Sequence, residues 1–305
     1  MPVSAPSLVI HRVAAPADGL RDLEVTSDGA VWCALAATSV VVRMTPDGEQ
    51  RRIALGGETA EAHSIAAATH DSVWVTDRAS DRILRLDSTG VVWSATVTFG
   101  AAPAGIVGQH DGSAWFVEER ADAVGHVDIL GRVTEFDTGV PRGEPASIAS
   151  NGSSVWFALP GAGAIAHARG GDSLPSLVEF DDPSAAPTSV SIGDDGCLWF
   201  ADPARRVVGR IGRSGAITEF VLPEPSWRPM RVASDAADGC WFTIDGVGAI
   251  GHVDGEGRAA MIAVPGERGT PVAIALSAVG ELWVALDSGD LLYIADPGSL
   301  AADIQ

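Results

Sequence analysis

The sequence predicts an all-β protein, a seven-bladed β-propeller built from four-stranded antiparallel blades. The first observation behind this prediction is a ladder of tryptophans spaced by 41 to 43 residues, a period typical of propeller blades. The second is that each repeat holds four short runs of alternating apolar residues, which is one blade of strands. The ladder consists of Trp32, Trp74, Trp115, Trp156, Trp199, Trp241 and Trp283.

One repeat shows how each strand is recognised. Residues 187–190 form the inner strand A, 196–200 carry the ladder tryptophan in strand B, 207–211 form strand C, and 215–220 form the outer strand D. Each run alternates apolar and polar residues and ends at Gly, Asp or Pro, as strands and turns do. The 35 glycines and 18 prolines of the chain interrupt every stretch long enough for a helix.

The last repeat lacks its outer strand. Its apolar runs extend from Val272 to Ile294 and end at residues 296–298, Asp-Pro-Gly. Residues 7–14 resemble the strand D of other repeats, so we expect them to pair into the seventh blade and close the ring without an open edge. The chain 1–305 is then a single domain, with blades at about 19–55, 60–98, 102–139, 144–181, 186–223, 228–265 and 270–296 plus 7–14.

Several chemically suggestive residues are expected to be structural. A buried indole is a large packing element, so the ladder tryptophans are read as core. The three cysteines lie within two residues of a ladder tryptophan and read as small buried residues. His126, His167 and His252 share the strand C position that elsewhere holds arginine or tyrosine, on blades too far apart to share a metal ion.

Composition narrows the partners. The formal net charge is −20, and all 20 basic residues are arginines. Such a chain repels nucleic-acid phosphates and anionic lipids, so neither nucleic acid nor a membrane is an expected partner. The N-terminus lacks a basic segment followed by an apolar core, and no apolar run is long enough to span a bilayer. We expect a cytoplasmic monomer that binds a small molecule.

Strand direction locates the candidate site. Because neighbouring strands are antiparallel, the start of strand A and the end of strand B lie on one face, near the central channel. The chain places acids on blades 2, 3 and 5 of this ring and apolar residues on blades 4, 6 and 7, a mixture typical of small-molecule pockets. The starts of strand A carry Arg21, His63, Ala104, Ala146, Thr188, Met230 and Val272; the ends of strand B carry Leu35, Asp77, Glu118, Leu159, Asp202, Ile244 and Leu286.

His63 is the sharpest catalytic candidate, because it is the one histidine in this ring. Asp77 on the same blade is expected to orient the imidazole and raise its basicity, as a general base requires. Arg21 would anchor a carbonyl or carboxylate, and Glu118 would act as an acid or metal ligand. The alternative is that His63 belongs to an ordinary surface ion pair.

Further residues are candidates for substrate binding. Trp227 is off the ladder, in a loop that leads to blade 6, where it either walls the pocket or caps the apolar edge of a blade. Met230 and Val272 would form the apolar wall. The polar candidates are Arg120, Asp202 and Arg228.

The repeat phrases resemble those of the virginiamycin B lyase (streptogramin lyase) family. Blades 3 and 5 carry them best, in residues 103–106, 114–118 and 217–223, and the resemblance covers all seven repeats. It implies a seven-bladed propeller and an enzyme that linearises a cyclic depsipeptide antibiotic by elimination, using Mg²⁺ and a histidine base.

The implied catalytic residues are mostly replaced. The resemblance implies Glu-Pro-His at the start of blade 7, a glutamate after its ladder tryptophan, and a histidine at the start of blade 6. The chain has Thr270, Pro271 and Val272, then Asp287, and Met230 at these positions. Residues 61–63, Glu-Ala-His, followed by Asp77, restore a similar set on blade 2, either as a relocated site or by chance within a repeat.

Two functions follow from the sequence. The first is an enzyme that acts on an apolar natural-product or peptide-like small molecule by general-base elimination, cyclisation or isomerisation, without hydrolysis. The second is a non-catalytic propeller that binds a small molecule or a protein on its disc face. The residues themselves predict no metal site, because Asp77, Glu118 and Asp202 lie on separate blades; Mg²⁺ is implied by the resemblance alone.

Overall fold

The computed structural model describes residues 8–57, 59–69, 71–169, 175–236, 238–266 and 268–299. The strands form seven four-stranded antiparallel sheets, and each sheet is one blade. Successive inner strands contact one another around the axis, and the inner strands of the first and last blades also meet. The predicted seven-bladed propeller is therefore confirmed.

The first four blades use sixteen strands in chain order after the closing strand β1 (Leu8–Arg12). Blade 1 has β2 (Leu20–Val25), β3 (Val31–Leu35), β4 (Val40–Met44) and β5 (Gln50–Ala54). Blade 2 has β6 (Ala62–Ala67), β7 (Val73–Asp77), β8 (Arg82–Asp87) and β9 (Gly90–Thr96). Blade 3 has β10 (Pro103–Gly108), β11 (Ala114–Glu118), β12 (Ala123–Val127) and β13 (Val133–Asp137). Blade 4 has β14 (Ile148–Ser150), β15 (Ser154–Leu159), β16 (Ala164–Arg169) and β17 (Ser176–Glu179).

The remaining blades follow the same order. Blade 5 has β18 (Ser189–Ile192), β19 (Leu198–Asp202), β20 (Val207–Ile211) and β21 (Ile217–Val221). Blade 6 has β22 (Pro229–Ser234), β23 (Gly239–Ile244), β24 (Ala249–Asp254) and β25 (Ala259–Ala263). Blade 7 has β26 (Pro271–Leu276), β27 (Leu282–Leu286) and β28 (Asp290–Ile294), with β1 as its outer strand. Two short 3₁₀ helices cover Pro16–Asp18 and Pro160–Ala162.

The N-terminal strand closes the ring as predicted. β1 pairs antiparallel with β28, from Leu8 opposite Ile294 to Arg12 opposite Asp290. The Arg12 guanidinium lies 2.7 Å from the Asp290 carboxylate, which is buried. Residue 7 of the predicted closing segment lies outside the described residues. With β1 in place, blade 7 has four strands like the other blades, and β28 is not left as an unpaired edge.

The ladder tryptophans pack between blades, and each faces one particular strand C residue. Trp32, Trp74, Trp199 and Trp241 are fully buried. The facing residue stacks on the indole as an arginine in three blades, for example Arg43 with its guanidinium carbon 5.6 Å from the Trp32 ring centre. Histidine or tyrosine takes this place elsewhere. The facing residues are Arg43, Arg85, His126, His167, Arg210, His252 and Tyr293.

The three strand C histidines have a structural role in these stacks. His167 stacks on Trp156 with ring centres 3.8 Å apart, and His126 and His252 tilt against their own tryptophans. Within the described residues, no three His, Cys, Asp or Glu side chains are placed to share a metal ion. The three cysteines are buried free thiols, as expected. None of the helices in the described ranges has the length and apolarity needed to cross a bilayer.

Candidate functional site

A backbone irregularity marks the ring of candidate positions. Five inner strands shift register against their strand B partners where the ring residue stands: at Arg21, His63, Ala104, Met230 and Val272. Such a bulge leaves a residue unpaired and re-aims its side chain. In blade 6 the shift spans two residues, so Arg231 is unpaired as well as Met230. Alternation along the strands does not reveal this, so the sequence interpretation missed Arg231.

Arg21, Met230 and Val272 meet at a cavity on this face. The cavity has a volume of about 490 Å³ and lies between blades 1, 6 and 7; we call it the blade 1–6–7 cavity. Met230 and Val272 contribute apolar surface to its lining. Arg21 and Arg231 supply positive charge. The rest of the lining is Gly19, Leu20, Ala36, Asp245, Gly246, Thr270, Pro271 and Asp287.

Two arginines of this cavity stand out because neither is held in an ion pair by the described residues. Among the residues that the structure describes, neither Arg21 nor Arg231 forms an ion pair with a carboxylate. The buried Nε of Arg21 also lacks a hydrogen-bond acceptor. Burial, then repulsion from Arg231 and Arg78, lowers the pKa of Arg21. The carboxylates of Glu61 and Asp22 act on Arg21 in the opposite sense, but less strongly. Two neighbouring guanidinium groups that form no ion pair have donors free for an anion.

His63 lies directly behind Arg21. An Arg21 Nη2 donates to His63 Nε2 at 3.3 Å, and His63 Nδ1 lies 3.5 Å from a Glu61 carboxylate oxygen. The ring is 4% exposed. Burial, with Arg21, Arg78 and Arg231 nearby, lowers the pKa of His63 to about 2. The imidazole is therefore neutral at physiological pH, with its Nε2 lone pair occupied by Arg21.

The expected partner of His63 is corrected by this geometry. Asp77 is fully buried and receives two hydrogen bonds from the Arg82 guanidinium, at 2.6 and 2.9 Å. Its other oxygen accepts from the backbone N–H of Glu61 at 2.8 Å. Arg82 outcompetes the imidazole because a buried carboxylate is best satisfied by a full charge and a two-pronged donor. Glu61, and not Asp77, is the acid beside the ring.

Asp202 has the same structural role in blade 5. It accepts from Arg205 Nε at 2.7 Å and from the backbone N–H of Ala186 at 3.0 Å. Arg205 also reaches Glu219 at 2.8 Å, so one guanidinium bridges two carboxylates. Asp77 and Asp202 thus fasten the loop that leads into strand A, and neither lines the blade 1–6–7 cavity.

Glu118 is the exception among the ring acids. Its carboxyl group is fully buried, and neither oxygen has a hydrogen-bond donor among the described residues. Burial, then the adjacent Glu135 carboxylate, raises the pKa of Glu118 to about 8. The pKa of Glu135 is lowered, chiefly by hydrogen bonds from Glu118 and the Thr98 backbone against the opposing effect of burial. Glu118 is accordingly protonated near neutral pH, where an exposed glutamate would carry a negative charge.

The remaining substrate-binding candidates lie outside the cavity. Trp227 packs against the core cluster that contains Trp199, Phe242 and Ile244, which is the capping interpretation. Arg120 and Arg228 are exposed, and neither lines the blade 1–6–7 cavity. The structure therefore brings Arg21, Met230 and Val272 to the cavity and places His63 against Arg21. The predicted residues that lie elsewhere are Asp77, Glu118, Arg120, Asp202, Trp227 and Arg228.

The Mg²⁺ implied by the resemblance does not suit the residues at blades 6 and 7. Val272 has no donor atom, and one Asp287 oxygen accepts the Thr270 backbone N–H at 2.8 Å. The shared donor set that Mg²⁺ prefers, several oxygens in one place, is not assembled there by the described residues.

Comparisons of the sequence and of the structure with known proteins point to the same family. The model of the virginiamycin B lyase family matches residues 7–294. A virginiamycin B lyase from Nocardia farcinica is 28% identical over 222 residues, which cover 72% of this chain and 76% of that protein. Virginiamycin B lyase from Staphylococcus aureus has a TM-score of 0.88 at 23% identity, covering 95% of this chain and 99% of that one. Its catalytically inactive histidine-to-alanine variant with quinupristin has a TM-score of 0.87 at 24% identity, with the same coverage.

Proposed function

Because the chain belongs to the virginiamycin B lyase family, we propose that it binds an anionic, partly apolar small molecule in the blade 1–6–7 cavity. The observation that carries this proposal is that two arginines, Arg21 and Arg231, line one cavity, where burial and then the proximity of Arg231 lower the pKa of Arg21. Neither forms an ion pair within the described residues, although the chain has 40 acidic residues, which favours an anion supplied by the ligand.

The wall of the cavity defines the rest of the ligand. Met230 and Val272 offer apolar contact next to the arginines, while Asp245 and Asp287 line the same space. A carboxylate joined to an apolar or amide-containing body satisfies both kinds of surface. This is the chemistry of a peptide-like acid.

A lyase-type reaction is the second candidate, and the contact between Arg21 and His63 favours it. A substrate carboxylate that draws the Arg21 guanidinium toward itself exposes the Nε2 lone pair of His63. It also cancels part of the positive charge that lowers the His63 pKa. The imidazole then takes a proton from carbon next to a carbonyl, the electron pair forms a C=C bond, and the leaving oxygen departs. No water is consumed.

We rank binding above catalysis because the arginines already line the cavity, whereas catalysis requires Arg21 to move away from His63. The residues at the starts of blades 6 and 7, Met230 and Val272, cannot act as bases. Family membership and the neutral His63 support the lyase-type reaction, which is tested by measuring turnover of a candidate substrate.

The binding proposal is tested by calorimetric titration with N-acetyl-L-phenylalanine and its neutral amide. We expect the acid to bind and the amide to bind at least about tenfold more weakly, since a charge-assisted pair is lost. Arg231→Gln and Arg21→Gln should each weaken the acid similarly, while Arg132→Gln, a change at an exposed arginine on the blade 3 turn, should not. Equal affinity for acid and amide would contradict the proposal.

The lyase-type candidate is tested with quinupristin and mass spectrometry. Ring opening by elimination leaves the mass unchanged, whereas hydrolysis adds one water. If His63 is the base, His63→Ala abolishes an activity that the unmodified protein shows. An intact antibiotic after prolonged incubation, together with binding of the acid probe, would favour the binding function alone.

A further inference from the structure

The acidic pair on blade 3, Glu118 and Glu135, lies apart from the blade 1–6–7 cavity. Glu118 is the last residue of strand β11. Glu135 lies on the outer strand β13, where it is paired with Gly125 of β12. Glu118 is fully buried, and both of its oxygens lack donors. Among the described residues, the one hydrogen-bonding partner of this carboxyl group is the neighbouring acid Glu135, which it can contact only through a shared proton. A buried carboxyl group with no donor to it is costly, so its retention needs an explanation.

Blade 5 supplies an internal template for this pair. Asp202 ends strand β19 as Glu118 ends β11, and Glu219 is opposite Gly209 as Glu135 is opposite Gly125. In blade 5 the Arg205 guanidinium lies between the two acids, 2.7 Å from Asp202 and 2.8 Å from Glu219.

Blade 3 lacks that arginine. Both loops reach strand C five residues after the acid, through a residue with positive φ, Arg206 at 59° and Asp122 at 49°. Counting along these matched loops places Ala121 where blade 5 has Arg205. The two carboxyl groups therefore remain while the cation between them is missing.

The surroundings offer an aromatic side chain as well. In blade 5, Phe180, on the segment that leads in from blade 4, has its ring centre 4.9 Å from the Arg205 guanidinium carbon. The segment that leads into blade 3 carries Phe99, which is 98% exposed. The neighbouring Thr98 backbone N–H donates to Glu135 at 2.8 Å. Phe99 thus follows the residue that contacts Glu135, and an exposed aromatic ring is a surface on which an organic cation can pack.

We propose that Glu118 and Glu135 bind a guanidinium group, supplied by a small arginine-like molecule or by an arginine of a peptide, in the place that Arg205 occupies in blade 5. Once Glu118 releases its proton to solvent on binding, a planar, two-sided donor matches the two facing carboxylates. A divalent metal ion matches them less well, because two side chains leave most of its oxygen ligands unsupplied. Glu135 is exposed, which gives the ligand access from the rim of the blade.

The test is titration of the full chain with L-argininamide, followed by calorimetry and by NMR of labelled glutamate carboxyl groups. We expect saturable binding that shifts the Glu118 and Glu135 signals. Glu118→Gln should weaken binding about tenfold or more, as loss of a charge-assisted hydrogen bond does. Glu179→Gln, which changes an exposed glutamate on the outer strand of blade 4, is the matched control and should bind normally.

A second variant fills the site from within. Ala121→Arg recreates the blade 5 arrangement, so it should raise the melting temperature and abolish argininamide binding. The peptide acetyl-Gly-Arg-Gly-amide distinguishes the two sources of the guanidinium: tighter binding than argininamide identifies a peptide, and equal or weaker binding a small molecule. Either result supports the site.

Three outcomes would overturn the proposal. They are no binding of argininamide, which would leave the pair with a shared proton only; preferential binding of Mg²⁺ or Ca²⁺; and binding that Glu118→Gln leaves unchanged. None of these depends on the blade 1–6–7 cavity, so the two sites are tested separately.

Discussion

Replacing Glu118 with glutamine should change how the stability of the propeller depends on pH. The pKa of Glu118 is raised from 4.5 to about 8, first by burial and then by Glu135 and Asp81. Between these two values the folded chain holds a proton that the unfolded chain releases. The stabilising contribution of this proton is thus fully present below about pH 4.5 and is lost as the pH rises through about 8.

The size of the effect follows from the difference in pKa. At about 1.4 kcal/mol per pKa unit, the difference corresponds to an upper limit of about 5 kcal/mol between the two ends of this range. Relaxation of the site and entry of water reduce the value, so we expect at least about 2 kcal/mol. Glutamine keeps the shape of the side chain, does not titrate, and donates to Glu135 through its amide.

The assay is urea unfolding followed by tryptophan fluorescence, from about pH 5 to about pH 9, for the unmodified chain and Glu118→Gln. The variant should gain stability relative to the unmodified chain as the pH rises. Glu24→Gln is the control, because burial and Asp22 raise the pKa of Glu24 to about 8 on a different blade. The two changes should add. Parallel curves for Glu118→Gln and the unmodified chain would refute this account of the acidic pair.

Three further changes test the architecture. Trp241→Ala removes a fully buried indole and should lower the free energy of unfolding by about 3 to 5 kcal/mol in urea titrations; a loss below about 1 kcal/mol would show that the ladder is not core. Gly209→Ala places a Cβ 2.1 Å from the Phe200 ring and should cost about 1 to 3 kcal/mol by the same measurement, whereas Gly215→Ala, a strained but open turn position, should cost less. Arg82→Ala leaves the buried Asp77 carboxylate without its ion pair and should cost about 3 to 5 kcal/mol, with Asp77→Asn in the same background restoring part of the loss.

The sequence was sufficient for the fold because the relevant signal is local and repeated seven times. A ladder tryptophan and its turns predict a blade wherever they occur. The missing strand of blade 7 pointed to residues 7–14 as the closing segment, within which Leu8–Arg12 form the strand. The histidines opposite Trp115, Trp156 and Trp241 were expected to be structural from their shared strand C position, and the structure adds that each packs against its tryptophan.

The site was harder to predict because it depends on which partner wins a contact. The position of Asp77 at the end of strand B was right, but Arg82, five residues later, takes its carboxylate. Arg231 escaped notice because a two-residue bulge, which alternation does not reveal, brings it beside Met230. Both errors have one physical origin: buried charges are paired across the fold, and a pattern along one strand carries no record of that pairing.

Charge satisfaction also separates the structural acids from the unusual ones. In blades 2 and 5 the acid that ends strand B has an arginine partner, Arg82 or Arg205. Blade 3 keeps the acid without the arginine, whereas the blade 1–6–7 cavity holds two arginines that form no ion pair with the acids around them. A buried charged group without a partner lowers stability, so neither arrangement is explained by the structural repeat alone. The two proposed sites therefore differ in specificity: an anion is expected at Arg21 and Arg231, and a cation at Glu118 and Glu135.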